Sequence, residues 1–577
     1  MASVPHSFKQ EHATVPPIVL PITSRGLTLT DRACWGILGA AMAIAAALIL
    51  YLNRGTTFFA DELTFLYETP ALGPREAIEP HNGHLIATTR LAYKLILETV
   101  GPDYIAFRLI AVGAVLLSGG LFYAVVKRRI GALAALAPTF VLLVFGSAWQ
   151  HVLAPIGFTP ILAIAAGLAA LLALERGDRP GDVAACALLV FSIATYTTGL
   201  PFLVGVAVSV LIRPDRRKRA WIFLVPLALY GAWWLWSLST DTSAGNETRL
   251  ANVLLIPAWV AESLAAVTGA LTGLGFPFSG GSESKIDPDW GRVLAIPLIV
   301  ALVLRIRRGN VPAGVWVSLG VVLTWWTLGA IAYDTFRPPD SGRYIYMGSI
   351  GVLLVAAAAA DAIRFTRLGL AALFGVCVLS IAANLELLRA GERFLRNYST
   401  VVRADLAMAE LAGNRADPDF KPLRDAPLGE FINAPISSHL VLVDEFGPIG
   451  FSPSELGAQD EPVREAADRV LANAYGLRLT KPANPPPLES CRVVRPRRPS
   501  GPIVTELPAG GAAFLARGSG GAVSVGRFGS VGAAEVGGVS PGRTAVLPIP
   551  TDSAPQPWRA AMTGPSSIEV CALRQPG

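Results

Sequence analysis

Hydrophobic positions in this chain fall in long blocks, with short polar intervals between them. Apolar runs occupy residues 35–52, 104–126, 131–149, 155–174, 182–197, 200–212, 220–238, 293–304, 313–333, 344–360 and 368–388. An α-helix rises about 1.5 Å per residue, so about 20 apolar residues cross the hydrocarbon core of a bilayer. The blocks therefore predict about eleven transmembrane helices, the shorter ones extended by flanking polar turns. Residues 250–275 form a further apolar stretch, but Glu262 and several glycines interrupt it. It is expected to be re-entrant or to lie on the membrane surface. Residues 400–413 read as a helix leading out of the membrane.

Loop charges orient these spans. With the N-terminus inside, the inside loops hold Lys127-Arg128-Arg129, Arg176 with Arg179, Arg213 with Arg216-Arg217-Lys218-Arg219, Arg305 with Arg307-Arg308, and Arg364 with Arg367. The short outside turns near 150–154 and 197–200 hold no Lys or Arg. Basic residues mark cytoplasmic loops. Segments 53–103, 239–292 and 334–343 are thereby expected outside, as is everything after about residue 389. Residues 1–33 are expected to be a cytoplasmic tail. The first apolar run lacks a small-residue cleavage site and reads as a retained signal anchor. The expected membrane is the cytoplasmic one.

After residue 397 the blocks give way to short apolar pieces separated by Pro, Gly and Ser. Examples are 439–443, 512–515, 522–525, 544–547 and 567–573. Such spacing predicts a mainly β, sandwich-like domain over 397–577, following a membrane domain over 34–390. Residues 482–487 read as a linker. Cys491 and Cys571 lie in two of the strand-like pieces and are expected to form a disulfide if the domain faces an oxidising compartment. Cys34, Cys186 and Cys377 sit in or beside apolar runs and are expected to be inert.

Composition agrees: 52% of residues are hydrophobic and 16% charged, with a formal net charge of +6. Soluble domains carry about 25% charged residues. The basic residues belong to the short loops, which removes nucleic acid as a partner. P-loop, HExxH and paired CxxC motifs are all missing from the sequence.

Candidate chemistry collects in the first outer loop. Asp61 and Glu62 lie between Phe58-Phe59-Ala60 and Leu63-Thr64-Phe65-Leu66. A carboxylate at a bilayer surface is costly to desolvate and, partly dehydrated, suits a general base. His81-Asn82-Gly83-His84 follows, with two imidazoles suited to hydrogen-bonding a phosphate or sugar hydroxyl. Too few ligands accompany them for a metal site. Residues 85–98 are amphipathic, with Arg90 and Lys94 four apart on one face, placed to meet a lipid phosphate or the headgroups of membrane lipids. In the Pro- and Gly-rich loop 337–344, Arg343 offers a bidentate fork to a phosphate and Tyr344 a hydroxyl. Lys285 is a further outside cation.

An Asp-Glu pair in the first outer loop, an amphipathic helix after it, many spans, Arg343-Tyr344 opening a late span and a C-terminal outer domain together resemble the GT-C superfamily of membrane glycosyltransferases. That superfamily includes protein O-mannosyltransferases, the aminoarabinose transferase acting on lipid A and the actinobacterial arabinofuranosyltransferases. The resemblance covers roughly residues 30–390. It implies a hexose or pentose carried on polyprenyl phosphate, passed by an inverting single displacement to a glycan, lipid or protein acceptor. Asp61 would be the general base and Glu62 its helper. Arg343, with Tyr344, Lys94, Arg90 or a histidine, would hold the departing phosphate, and His81, Asn82 and His84 the substrate. Likeness to the arabinofuranosyltransferases would make the outer domain a carbohydrate-binding β-sandwich. Some relatives use a divalent metal, which stays an alternative here; a cation-rich pocket can serve the leaving phosphate without one, and no metal ligand is assigned. The other class is a non-enzymatic exporter or scaffold for lipid-linked sugars or polysaccharide, which needs no exposed base.

Overall fold

The computed structural model describes residues 30–240, 250–275, 286–333, 337–361, 363–429, 432, 434–498 and 501–574. Lys285 and most of the N-terminal tail lie outside the described residues. Each apolar run carries α-helix. Among the described residues, seven helices are long and apolar enough to cross a membrane, or eight if the bent pair Ala132–Leu143 and Gly146–Val152 counts as one span. The chain is thus a multi-pass helical membrane protein, although the structure does not confirm eleven spans. Gly199–Leu211 and Trp221–Ser237 are apolar but shorter.

The bend after Leu143 has a packing cause. A Cβ on Gly146 would lie 1.8 Å from the carbonyl oxygen of Asn384, so only glycine lets the two backbones approach. Asn384 itself is fully buried and satisfied. Its Oδ1 accepts from the amide and hydroxyl of Ser147 (both 2.8 Å), and its amide donates to Ser380 O (2.9 Å). Buried polar groups in lipid-facing bundles need such partners.

Ala251–Thr272 has the length and composition of a span. Both its ends are nevertheless bonded to one inter-helix connection. Asn252 donates to the carbonyls of Ile331 and Tyr333 (both 3.1 Å), and past the other end the Ile286 amide donates to Asp340 O (3.0 Å).

Ion pairs gather alternate helix ends at one side of the bundle. Lys127 meets Asp31 (3.0 Å), Arg129 meets Glu175 (3.2 Å) and Asp361 (3.5 Å), and Arg219 meets Asp182. The connections on the other side carry Asp61, His84, Tyr196 and Arg343.

The last membrane helix, Arg367–Ala412, runs for 46 residues. It continues without a break through the segment expected to be a separate connecting helix. Helices Ile436–Phe446, Pro453–Gly457 and Glu461–Ala474 follow. His439–Val443 therefore sits in a helix, not in the strand that its short apolar run suggested. The β structure begins only at residue 488. Its strands are β1 (Leu488–Val494), β2 (Ile503–Glu506), β3 (Gly511–Arg517), β4 (Gly521–Gly526), β5 (Ala534–Val539), β6 (Thr544–Pro548), β7 (Arg559–Thr563) and β8 (Ser567–Leu573). They form two four-stranded antiparallel sheets ordered β1-β8-β3-β6 and β2-β7-β4-β5, the jelly-roll order. Cys491 and Cys571 are joined by a disulfide across β1 and β8. Asp468, buried, accepts from the amides of Arg527 (2.9 Å), Phe528 (3.0 Å) and Gly529 (2.8 Å), which ties the helix Glu461–Ala474 to the sandwich. Met408, Leu471 and Phe514 share one core, so helices and sandwich form a single unit.

Candidate active site

The helix Asp61–Glu68 starts from a strained residue. Ala60 has φ 49° and ψ −118°, a conformation costly for any residue with a Cβ. It is held there by the long helix Arg367–Ala412. The Ala60 amide donates to the Tyr398 hydroxyl (3.0 Å), and the Thr57 amide to the Ser399 hydroxyl (2.9 Å). Phe59 packs edge-on against Tyr398 with ring centroids 5.0 Å apart.

Consecutive helical residues point about 100° apart, so Asp61 and Glu62 face different surroundings. Glu62 points inward and is 0% exposed. Its Oε2 accepts from the Phe59 amide (3.0 Å) and the Tyr104 hydroxyl (3.0 Å), and its Oε1 accepts from the Ile156 amide. Burial pushes its carboxyl from an ordinary 4.5 up to about 8, against the pull of those donors and of Arg108. Asp61 points to the open side, with 34% of its side chain exposed.

Pro80 leads into a tight turn. His81 and His84 exchange backbone hydrogen bonds (3.0 and 2.9 Å), with Asn82 at φ 49° and Gly83 at φ 76° between them. Two positive φ values in a row are what a type I′ turn requires, and Asn-Gly supplies them. The turn brings His81 Nε2 to 3.6 Å from the Asp61 carboxylate and sets its ring edge-on against Phe65. His84 goes the other way. Its Nδ1 lies 3.1 Å from the Thr197 hydroxyl and its ring 4.6 Å from that of Tyr196. Burial, with the charges of Arg337 and His81, pushes His84 from 6.5 down to about 3, while Asp61 pulls the other way. His84 is therefore a neutral imidazole near pH 7, able to hydrogen-bond but carrying no charge.

The loop before the helix Gly342–Ala359 completes the cluster. Arg337 acts on His84, and Arg337, Arg343, Tyr344 and Asp61 all act electrostatically on Tyr196. Arg343 is exposed, with its guanidinium 5.9 Å from the Tyr344 ring, and it also acts on His151. Tyr344 is wedged among Trp259 and Trp325, and Trp325 Nε1 donates to its carbonyl (3.2 Å).

Of the residues singled out from sequence, Asp61, His81, His84, Arg343 and Tyr344 converge. Asn82 is exposed at the tip of its turn and hydrogen-bonds His81 (3.2 Å). Arg90 and Lys94 are engaged elsewhere. Arg90 is 5% exposed, pairs with Glu68 (2.9 Å), and donates to the carbonyls of Glu76 (2.9 Å) and Glu79. Lys94 donates to Leu72 O (3.0 Å) and pairs with Glu98 (3.5 Å). Both staple the 68–79 loop to the amphipathic helix Ala87–Val100, so the face read as meeting lipid phosphate meets protein. Sequence reasoning passed over Arg337, Tyr196 and His151. Their one signal was position: each lies in or beside a turn assigned to the Asp61 face. It also passed over a buried link from the helix Asp61–Glu68 to the C-terminal unit. The Tyr67 hydroxyl is 3.4 Å from His439 Nδ1, and His439 Nε2 is 3.2 Å from Glu410.

Within this cluster Asp61 and His81 are two groups of the kind that ligate a divalent metal, 3.6 Å apart. Among the described residues, three His, Cys, Asp or Glu ligand atoms come within coordinating distance of one another only at Cys491, Glu569 and Cys571, where the two sulfurs are bonded to each other.

No family model matches the sequence, and no curated protein does. Among solved structures the chain is similar to the crystal structure of ArnT from Cupriavidus metallidurans bound to undecaprenyl phosphate, at 12% identity and a TM-score of 0.41, covering 65% of this chain and 80% of that one. It is similar also to ArnT in the apo state, at 12% identity and a TM-score of 0.44, covering 74% and 91%. At this identity the likeness bears on no individual residue.

Proposed function

We propose that this chain is a membrane glycosyltransferase of the GT-C type. It moves a hexose or pentose from a polyprenyl-phosphate donor to a hydroxyl of a glycan, lipid or protein at the outer face of the cytoplasmic membrane. One observation carries this: a solvent-reaching carboxylate, Asp61, is held on a strained, over-determined backbone at the same end of the bundle as Arg337 and Arg343. A base and a phosphate-binding charge are the two groups that the transfer needs.

The chemistry follows from that pair. Asp61 accepts the proton of the acceptor hydroxyl as its oxygen attacks the anomeric carbon. The bond from that carbon to the phosphate oxygen breaks, and the electron pair leaves with the polyprenyl phosphate. Arg343, with Arg337 beside it, stabilises the charge gathering there. A single displacement of this kind inverts the anomeric centre. His81 and the neutral His84 are placed to hydrogen-bond sugar hydroxyls. Glu62, sealed from solvent, positions Asp61 and touches no substrate.

Two features support the outer placement. The basic loop ends lie opposite Asp61, as cytoplasmic loops do. The Cys491–Cys571 disulfide belongs in an oxidising compartment. A sugar used there arrives on a lipid, because nucleotide sugars do not reach that face.

The test incubates purified protein with a panel of polyprenyl-phosphate hexoses and pentoses and candidate acceptors, reading transfer by mass. Transfer of a sugar with inversion is expected. Failure with every lipid-linked donor, together with export of the same lipid in vesicles, would put the exporter first.

A further inference from the structure

A cavity of about 530 Å3 opens at the end of the bundle opposite Asp61, between the helices Tyr104–Ile130, Phe158–Leu174, Gly199–Leu211, Ala313–Ile331 and Gly342–Ala359. Its lining is divided. The walls are apolar, among them Val126, Leu171, Leu174, Val317 and Leu354, and the mouth holds Arg129, Glu175 and Arg213. Charge at the mouth is unbalanced. Two acids face three arginines there: Glu175 is shared by Arg128 and Arg129, and Asp361 meets Arg129, which leaves Arg213 over. Arg213, half-buried in the turn after the helix Gly199–Leu211, has no ion pair among the described residues. Arg216, Arg217 and Lys218 follow within the same turn.

A half-buried cation at a membrane boundary costs solvation free energy that an anion at the same depth restores. The volume falls within the range of about 300–1,000 Å3 that small-molecule sites occupy. Charged mouth and apolar walls together match an amphiphile with a phosphate head. We propose that this cavity receives one anionic phospholipid of the adjoining leaflet, its phosphate at Arg213 and part of an acyl chain along the apolar walls. Basic pockets between transmembrane helices recognise anionic headgroups in this way. The site is independent of the sugar-transfer chemistry at the other end.

The experiment uses the full chain, delipidated in neutral detergent. Phosphatidylglycerol, phosphatidylcholine or inorganic phosphate is added back, and bound lipid is counted by native mass spectrometry alongside the thermal midpoint. One retained phosphatidylglycerol per chain and a raised midpoint are expected. Phosphatidylcholine and inorganic phosphate should do markedly less. Arg213→Gln should bind phosphatidylglycerol about five-fold more weakly, the loss of one membrane-surface cation. Arg213→Lys should keep most of the binding. Arg217→Gln removes an exposed arginine outside the cavity and should bind as the parent does. Equal losses in Arg213→Gln and Arg217→Gln would reduce the effect to a basic surface and overturn the site. Equal retention of phosphatidylcholine would overturn the charge selection. Inorganic phosphate stabilising as well as the lipid would overturn the acyl-chain part.

Discussion

Replacing Glu62 tests whether its buried carboxyl is a structural strut. Glu62→Ala strands three buried donors: the amides of Phe59 and Ile156 and the hydroxyl of Tyr104. Each unsatisfied buried donor costs about 1–3 kcal/mol, so the sum is roughly 3–9 kcal/mol before subtracting the desolvation that the lost carboxyl no longer suffers. Domain stabilities run at about 5–15 kcal/mol, so Glu62→Ala should unfold far below the parent. Glu62→Gln keeps an oxygen where Oε2 accepts from Phe59 and Tyr104 and turns its amide toward Ile156. It should lose about 1–3 kcal/mol. The pH dependence distinguishes the two further. Folding raises this carboxyl from 4.5 to about 8, so between those values the native state keeps a proton that the unfolded chain releases. Its contribution to stability is thus complete below about pH 4.5 and is lost as pH rises through 8. Thermal midpoints of parent and Glu62→Gln in detergent should converge as pH rises from 6 to 9, because only the parent carries this titration. A constant gap across that range, or a Glu62→Ala protein as stable as the parent, would refute the buried-strut role.

Other outcomes follow from the same geometry. Arg343→Ala should weaken binding of the polyprenyl-phosphate donor about 10–100-fold, the value of a hydrogen bond to a charged group, measured by titration of the lipid. His84 is pushed down to about 3 in the native state, so its contribution is present above about pH 6.5 and fades as pH falls toward 3; His84→Asn should make thermal midpoints less acid-sensitive over that window. Thiol labelling of the unfolded, unreduced chain should find Cys34, Cys186 and Cys377 only, and reduction should expose Cys491 and Cys571 as well. Cys571→Ser should cost the C-terminal unit about 2–4 kcal/mol, read by denaturant titration.

Much of the fold was legible because membrane crossing imposes a coarse rule. Apolar blocks had to be helices, since no other local structure satisfies backbone groups in lipid. The β pieces 512–515, 522–525, 544–547 and 567–573 lie in β3, β4, β6 and β8. His439–Val443 misled because a run of four apolar residues fits a strand or one face of a helix equally well. Only its docking between Glu410 and Tyr67 decides. Candidate residues were legible where a charged side chain is exposed on the Asp61 face, as at Asp61 and Arg343. They were not where a long-range partner decides. Arg90 looks free on a helical wheel, yet Glu68 and two loop carbonyls enclose it. Glu62 sits beside Asp61 in sequence but faces Tyr104 and Ile156, and spacing along the chain carries no trace of either.

The central claim is that Asp61 removes the acceptor proton. Asp61→Asn keeps the size of the side chain and abolishes its basicity. Single-turnover transfer from the active polyprenyl-phosphate sugar, measured in parent and variant at equal expression and equal donor binding, tests it directly. General-base catalysis is worth about 10²–10⁴-fold, so turnover should fall by that factor while donor affinity stays within about two-fold. Transfer at the parental rate in Asp61→Asn would contradict the assignment.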